Sequence, residues 1–242
     1  MAYYHAVECP PVESLEARVE PILDLDFDVA QLQRTVLMSV VADPQVRNLA
    51  GRLRNIDEPT YEHCERVSGL VIGTMLASGA DPAEAFIGGV AGILHDIGKG
   101  SRVVQLAVKS YNSIADNPEL YDLLRLHPRI GAAIAQHQGF GPNVVQAIGY
   151  HHAFQGNGRP AYGMQAGIIS LPEADGLAPD TPRLAHTLAA CDLVDAMLFD
   201  PQRNYRCGSC CSPEDTVQEV RSLQIPDAVI DQVLRVTGIT KL

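Results

Sequence analysis

Apolar residues recur along the chain at helical rather than strand spacing. His63, Val67, Leu70, Val71 and Met75 follow the i, i+4, i+7, i+8, i+12 pattern of a single helix face. No stretch alternates apolar and polar side chains in the manner of a half-buried strand. A helix expected over 29–53 is interrupted near Asp43-Pro44, because a residue before proline is pushed out of the helical region. Pro59-Thr60 opens the next helix, with Thr60 as its expected N-cap and Glu62 in its first turn. Asp81-Pro82 caps a third, whose near-continuous apolar run from Phe86 to Leu94 reads as buried all round. It ends in His95-Asp96-Ile97-Gly98-Lys99-Gly100, where the glycines are expected to stop the helix. Further helices are expected over 118–126, 129–138, 142–152, 181–199 and 213–222, and near 226–236, while 153–180 reads as a long loop. The expected fold class is all-α.

Composition changes this picture little and bounds the function more. With 242 residues, 46% of them hydrophobic and 19% charged, the chain is long enough for one large core. A net charge of −11 argues against a partner in duplex nucleic acid or an anionic membrane, since both need a basic footprint. The longest apolar run falls far short of a membrane span, and the start MAYYHAVECPP lacks the features of a secretory signal, so a cytoplasmic location is expected. Six cysteines in that setting read as reduced thiols, with Cys64 and Cys191 in apolar, core-like surroundings. The C-x-x-C-C cluster of Cys207, Cys210 and Cys211 has no second half, so free thiols are preferred there to a zinc site.

The histidines carry the chemistry. His63, His127, His151/His152 and Asp192 fall on apolar faces of separate expected helices, and His95-Asp96 closes a buried one. A polar group pointed into a helical core must be hydrogen-bonded or metal-bound, because desolvating it alone costs several kcal/mol. One inward histidine is commonly a satisfied core residue; five segments doing the same favour a shared metal centre. Imidazole with carboxylate and without thiolate suits Fe, Mn, Zn, Co or Ni. Neighbouring residues on a helix point about 100° apart, so Asp96 is placed to bridge two ions while His95 serves one. Asp195 reads either as an acceptor for a ligand histidine or as a surface charge. His5, His137 and His186 fall outside the pattern.

The ordered set H…HD…H…H…D, with HDIGK as its second element, resembles the HD-domain metal-dependent phosphohydrolases. It is most similar to the HD-GYP branch, the cyclic di-GMP phosphodiesterases. DEPTYEHCERV (57–67), HDIGKG (95–100), HPRIG (127–131), HHAFQGNGRPAYG (151–163), CDLVDAML (191–198) and QRNYR (202–206) match its motifs in order. The family's loop usually reads HHE and then DGxGYP; here Ala153 stands for the Glu, Gln155 for the Asp and Arg159 for the Tyr. Where some relatives carry an extra acid one turn before the first histidine, this chain has Pro59, which argues against a third metal.

The resemblance implies an HD-type helical bundle with a metal centre where five helical segments converge. It also implies an HD-GYP-like domain over 56–222; the acid-rich start makes 1–55 read as an acidic leader and helical extension, and 223–242 reads as a helix that packs on the domain. The implied ligands are His63, His95, Asp96, His127, His151, His152 and Asp192, holding two divalent ions, Fe or Mn. Asp96 and Lys99 would be catalytic, and Lys99, Arg203 and Arg206 would bind phosphate. The implied function is hydrolysis of a nucleotide or cyclic dinucleotide by a metal-bridging hydroxide. A small phosphate-containing ligand is the expected partner, and a homodimer is left open. Two other readings stand beside this one: a nucleotide-sensing or protein-binding module that keeps its metals, and a di-iron oxygenase on the same scaffold.

Overall fold

The computed structural model describes residues 27–109, 117–155, 181–199 and 212–239. Most of the acidic leader, Arg203, Arg206 and the Cys207, Cys210 and Cys211 cluster therefore lie outside the described residues. Among the described residues every regular element is helical. In order they are α1 (Phe27–Ala42), α2 (Pro44–Ile56), α3 (Glu58–Ala77), α4 (Pro82–Leu94), a 3-10 turn (Ile97–Gly100), α5 (Arg102–Val108), α6 (Pro118–Leu124), α7 (His127–His137), α8 (Pro142–Tyr150), α9 (Thr181–Leu198), α10 (Pro213–Arg221) and α11 (Asp227–Val236).

The helix starts follow a simple local chemistry. Asp43, Asp81, Asn117 and Ser212 each precede a proline and accept a hydrogen bond from a backbone N–H of the first turn. At Asp81 the arrangement is reciprocal, with Glu84 bonding back to the cap N–H at 3.0 Å. The N-cap of α3 is Asp57 rather than the expected Thr60. The Asp57 carboxylate accepts from the Thr60 N–H at 3.1 Å and its hydroxyl at 2.7 Å, outcompeting the weaker hydroxyl cap.

The antiparallel pair α3 and α4 forms the centre of the bundle, with α1, α2, α9 and α11 packed around α3. Their close approach depends on small residues. A Cβ built on Gly92 would stand 2.7 Å from the Ser68 Cα, and one on Gly89 would overlap Ile72 and Val40. The Ser68 hydroxyl donates to the Gly89 carbonyl at 2.9 Å across the same seam. One core joins Leu49 and Leu53 of α2, Val67 and Leu70 of α3, Ile93 of α4, Leu188 of α9 and Ile230 and Leu234 of α11.

The segment after α4 departs from the expected glycine stop. His95 stays in right-handed helical geometry and Ile97–Gly100 continues as a 3-10 turn. The left-handed glycines among the described residues are Gly79, Gly139 and Gly238. Gly98 is small for another reason: the turn lies directly on α7, and a Cβ there would run into the His127 carbonyl and stand 2.7 Å from the Gly131 nitrogen. Cys64 and Cys191 are fully buried free thiols, as their apolar surroundings suggest. None of the described helices is long and apolar enough to cross a membrane.

Candidate metal centre

Each inward histidine stands at or near a helix position that sets its ring. His63 lies one turn into α3, His95 caps the end of α4, His127 opens α7, and His151 and His152 follow the last residue of α8. Asp192 lies in the middle of α9. His63, His95, His127 and His151 are 2% exposed or less, although each is among the largest fully enclosed side chains.

Three rings are held by the same local device. Nδ1 of His95, His127 and His151 lies 2.7, 2.7 and 2.6 Å from the carbonyl three residues earlier, Gly92, Leu124 and Ile148 respectively. A carbonyl only accepts, so Nδ1 must be the protonated nitrogen. His63 reaches the same state through a carboxylate, with Nδ1 2.7 Å from Asp195 Oδ2. Asp195 is itself fully buried and is gripped by Arg66, whose Nε and Nη2 donate at 2.8 and 3.0 Å. That fork and the His63 bond hold the Asp195 carboxyl below its usual range against the opposing cost of burial. Asp195 is therefore a buried acceptor for His63 rather than a surface charge, the two readings that the sequence left open. Arg66 went unnoticed there, yet it follows His63 by the same three-residue step that separates Asp195 from Asp192.

With Nδ1 committed as donor, Nε2 is the nitrogen that each ring can offer as a lone pair when neutral, and these Nε2 atoms face one another. His63 Nε2 lies 3.2 Å from His95 Nε2, and His127 Nε2 lies 3.4 Å from His151 Nε2. Acids fill the space between. Asp192 Oδ1 is 2.9 Å from His63 Nε2 and 3.5 Å from His95 Nε2. Asp96 spans both groups: Oδ2 is 3.5 Å from His95 Nε2, while Oδ1 is 3.1 Å from His127 Nε2. Facing lone pairs and carboxylates inside a core repel one another unless cations sit among them. The donor set thus fits metal, in one group of His63, His95 and Asp192 and another of His127, His151 and His152, with Asp96 between them.

Charge within the cluster is sharply divided. Burial drives His151 down to about 3, with the neighbouring His95 and His127 pushing the same way. Burial likewise lowers His127, aided by Lys99, and places His152 well below its ordinary value, aided by His151. Burial opposes charge on His95 too, but Asp96, Cys64 and Asp192 together outweigh it and raise that imidazole. Asp96 is held well below the usual carboxylate range, against burial, by Lys99 first and then His95 and His127. Lys99 is the near-surface member, its ammonium paired with Asp96 Oδ2. Gln155, standing where the family's loop carries Asp, places its amide 3.0 Å from His152 Nδ1. The structure thus gathers all seven sequence-derived ligand candidates and Lys99, and it leaves His137 out on the surface.

The HD domain family matches residues 60–197. A cyclic di-GMP phosphodiesterase of Pseudomonas aeruginosa is 32% identical over 197 residues, covering 80% of this chain and 42% of that protein. The chain thus spans well under half the length of this curated relative. Two crystal structures of the HD domain of the L. monocytogenes phosphodiesterase PgpH superpose with TM-scores of 0.52 and 0.53 at 17% and 16% identity. They cover 80% of this chain and 96% and 94% of theirs, and the second holds cyclic-di-AMP.

Proposed function

The chain belongs to the HD-domain family, and from that premise we propose that it is a metal-dependent phosphodiesterase acting on a cyclic dinucleotide. The observation that carries the reading is the two pairs of facing imidazoles, 3.2 and 3.4 Å apart, whose Nδ1 atoms are already committed as donors. The name of the Pseudomonas relative supports the substrate class.

In this reading His63, His95 and Asp192 would hold one divalent ion and His127, His151 and His152 a second, with Asp96 available to both. Fe or Mn suits this nitrogen and oxygen set. Two such ions supply a water acidified to a usable nucleophile and a clamp on the phosphate oxygens. The protein does the rest. Asp195 and the three backbone carbonyls keep His63, His95, His127 and His151 each in one tautomer and one orientation. The Lys99 ammonium, at the edge of the cluster, turns from Asp96 to a non-bridging phosphate oxygen as charge builds on it. Arg203 and Arg206, outside the described residues, would grip phosphate farther out.

The test is metal analysis of anaerobically purified protein, paired with turnover of cyclic di-GMP and of bis(p-nitrophenyl) phosphate with Mn or Fe supplied. Bound metal and turnover are expected in the native chain, and neither in a His95→Ala/Asp96→Ala variant. Less than one ion per chain, or activity surviving in that variant, would refute the assignment. Ala153, in place of the loop acid, favours a second reading as a nucleotide sensor; tight binding of cyclic di-GMP without hydrolysis over hours would select it.

A further inference from the structure

His152 is held differently from the other four rings of the centre. Nδ1 of His63, His95, His127 and His151 each meets an oxygen that can only accept, so those rings keep a proton on Nδ1 and turn Nε2 to the centre. His152 Nδ1 instead lies 3.0 Å from Nε2 of the Gln155 side chain. An amide nitrogen donates, so this Nδ1 must accept. A neutral imidazole carries one N–H, and in His152 it therefore stands on Nε2. With Nδ1 taken by the amide and Nε2 by the proton, neither nitrogen offers a lone pair to an ion. The surroundings agree with that tautomer: His152 Nε2 lies 3.9 Å from Asp192 Oδ2, and an N–H there is drawn toward the carboxylate.

The segment that carries Gln155 is pinned. The Ala153 N–H donates to the Tyr150 carbonyl at 2.8 Å, and the Phe154 carbonyl accepts from the Gln224 N–H at 2.9 Å. The Phe154 ring packs edge-on against His186 of α9, with 4.4 Å between ring centroids. Gln155 follows His152 by three residues through this turn, which brings its amide back to the ring.

We infer that Gln155 is a positioning residue that withholds His152 from the second ion, so that the centre fills in two unequal steps. The tight step is at His63, His95 and Asp192, and the weak one is at His127 and His151. The inference rests on the two-ion reading and goes beyond it by ranking the sites. Bringing His152 into the second site requires the proton on Nε2 to leave for water as another reaches Nδ1. The Gln155 amide must also turn its oxygen to the ring, whose charge is the same before and after. That rearrangement opposes the second ion and leaves the first untouched.

Two measurements on the full chain test it. Proton–nitrogen NMR of the metal-free protein reads each ring's tautomer: His152 should carry its proton on Nε2, and His127 and His151 theirs on Nδ1. Calorimetric titration with Mn should show one tight and one weaker step. In Gln155→Glu a carboxylate accepts the Nδ1 proton and frees Nε2, so the second step should tighten roughly 10- to 100-fold. Gln155→Ala removes the donor without adding charge, and its second step should tighten as well. The first step should stay close to its native affinity in both variants, which also shows that they fold. His152 found with its proton on Nδ1, two native steps of equal affinity, or a second step unchanged or weakened in Gln155→Ala overturns the inference. A native chain that takes up no Mn fails the two-ion reading itself, while the His152 tautomer still decides what Gln155 does to the ring.

Discussion

Asp195 touches no candidate metal position, yet it decides what His63 can offer one. Its carboxylate holds the His63 proton on Nδ1 and is itself held by the Arg66 fork. Asp195→Ala should therefore weaken metal binding roughly 10- to 100-fold, measured by competition with a chromogenic chelator. Affinity unchanged from the native chain would mean that packing alone orients the ring. At this scale the sequence was informative about the candidate ligands, left Asp195 open between an acceptor and a surface charge, and was silent about Arg66. His63, His95, Asp96, His127, His151, His152 and Asp192 betray themselves as polar residues on apolar faces, which only a buried partner explains. Arg66 and Asp195 meet across 129 positions, and no local pattern specifies that pairing.

Among the elements, the glycines after α4 separate what the chain implies from what packing decides. In sequence they read as a helix stop, but the 3-10 turn runs on in right-handed geometry. Their small size matters instead where the turn meets α7. Gly98→Ala would drive a methyl into the His127 backbone, whereas a Cβ on Gly100 meets only Ile56 and Leu53 side chains at 3.6 and 3.7 Å. Overpacking of this kind costs about 1–3 kcal/mol. Gly98→Ala should thus lower Tm by roughly 2–10 °C, read by circular dichroism on a chain of this size, and Gly100→Ala should leave it within error. Equal effects at both would show that backbone freedom, not contact, is what Gly98 supplies. Helix starts were legible because an Asx or Ser before proline is a local instruction. The short α5, begun by Ser101, was missed because it lacks the cap-proline pair that marks the equally short α6 at Asn117-Pro118.

For the molecule as a whole, the metal-free centre ties stability to pH. His127, His151 and His152 are held below the ordinary 6.5. The unfolded chain takes up their protons as pH falls through that value and the folded chain does not. Each then removes up to about 1.4 kcal/mol of stability per pH unit. His95, held above 6.5, has the opposite sign: its contribution is present in acid and lost as pH rises past its folded value. Asp96, Asp192 and Asp195, all held below 3.8, stabilise at every pH above that range and lose their contribution only in stronger acid. Three histidines against one leave the metal-stripped protein with a lower Tm at about pH 5.5 than at about pH 7.5. A higher Tm at the acid value would show that His95 outweighs the other three. The convergence of five segments could be foreseen because each carried its own mark.

The three rings bonded to the carbonyl three residues before them have a consequence for how such a centre can change over time. Each travels with its own jig: a short piece of helix that points the imidazole without help from distant neighbours. Surrounding helices can be lengthened, swapped or decorated so long as they deliver those pieces to the same spot. His63 alone depends on a brace built far away in the chain, so it is the corner at which a transplanted centre would first come apart.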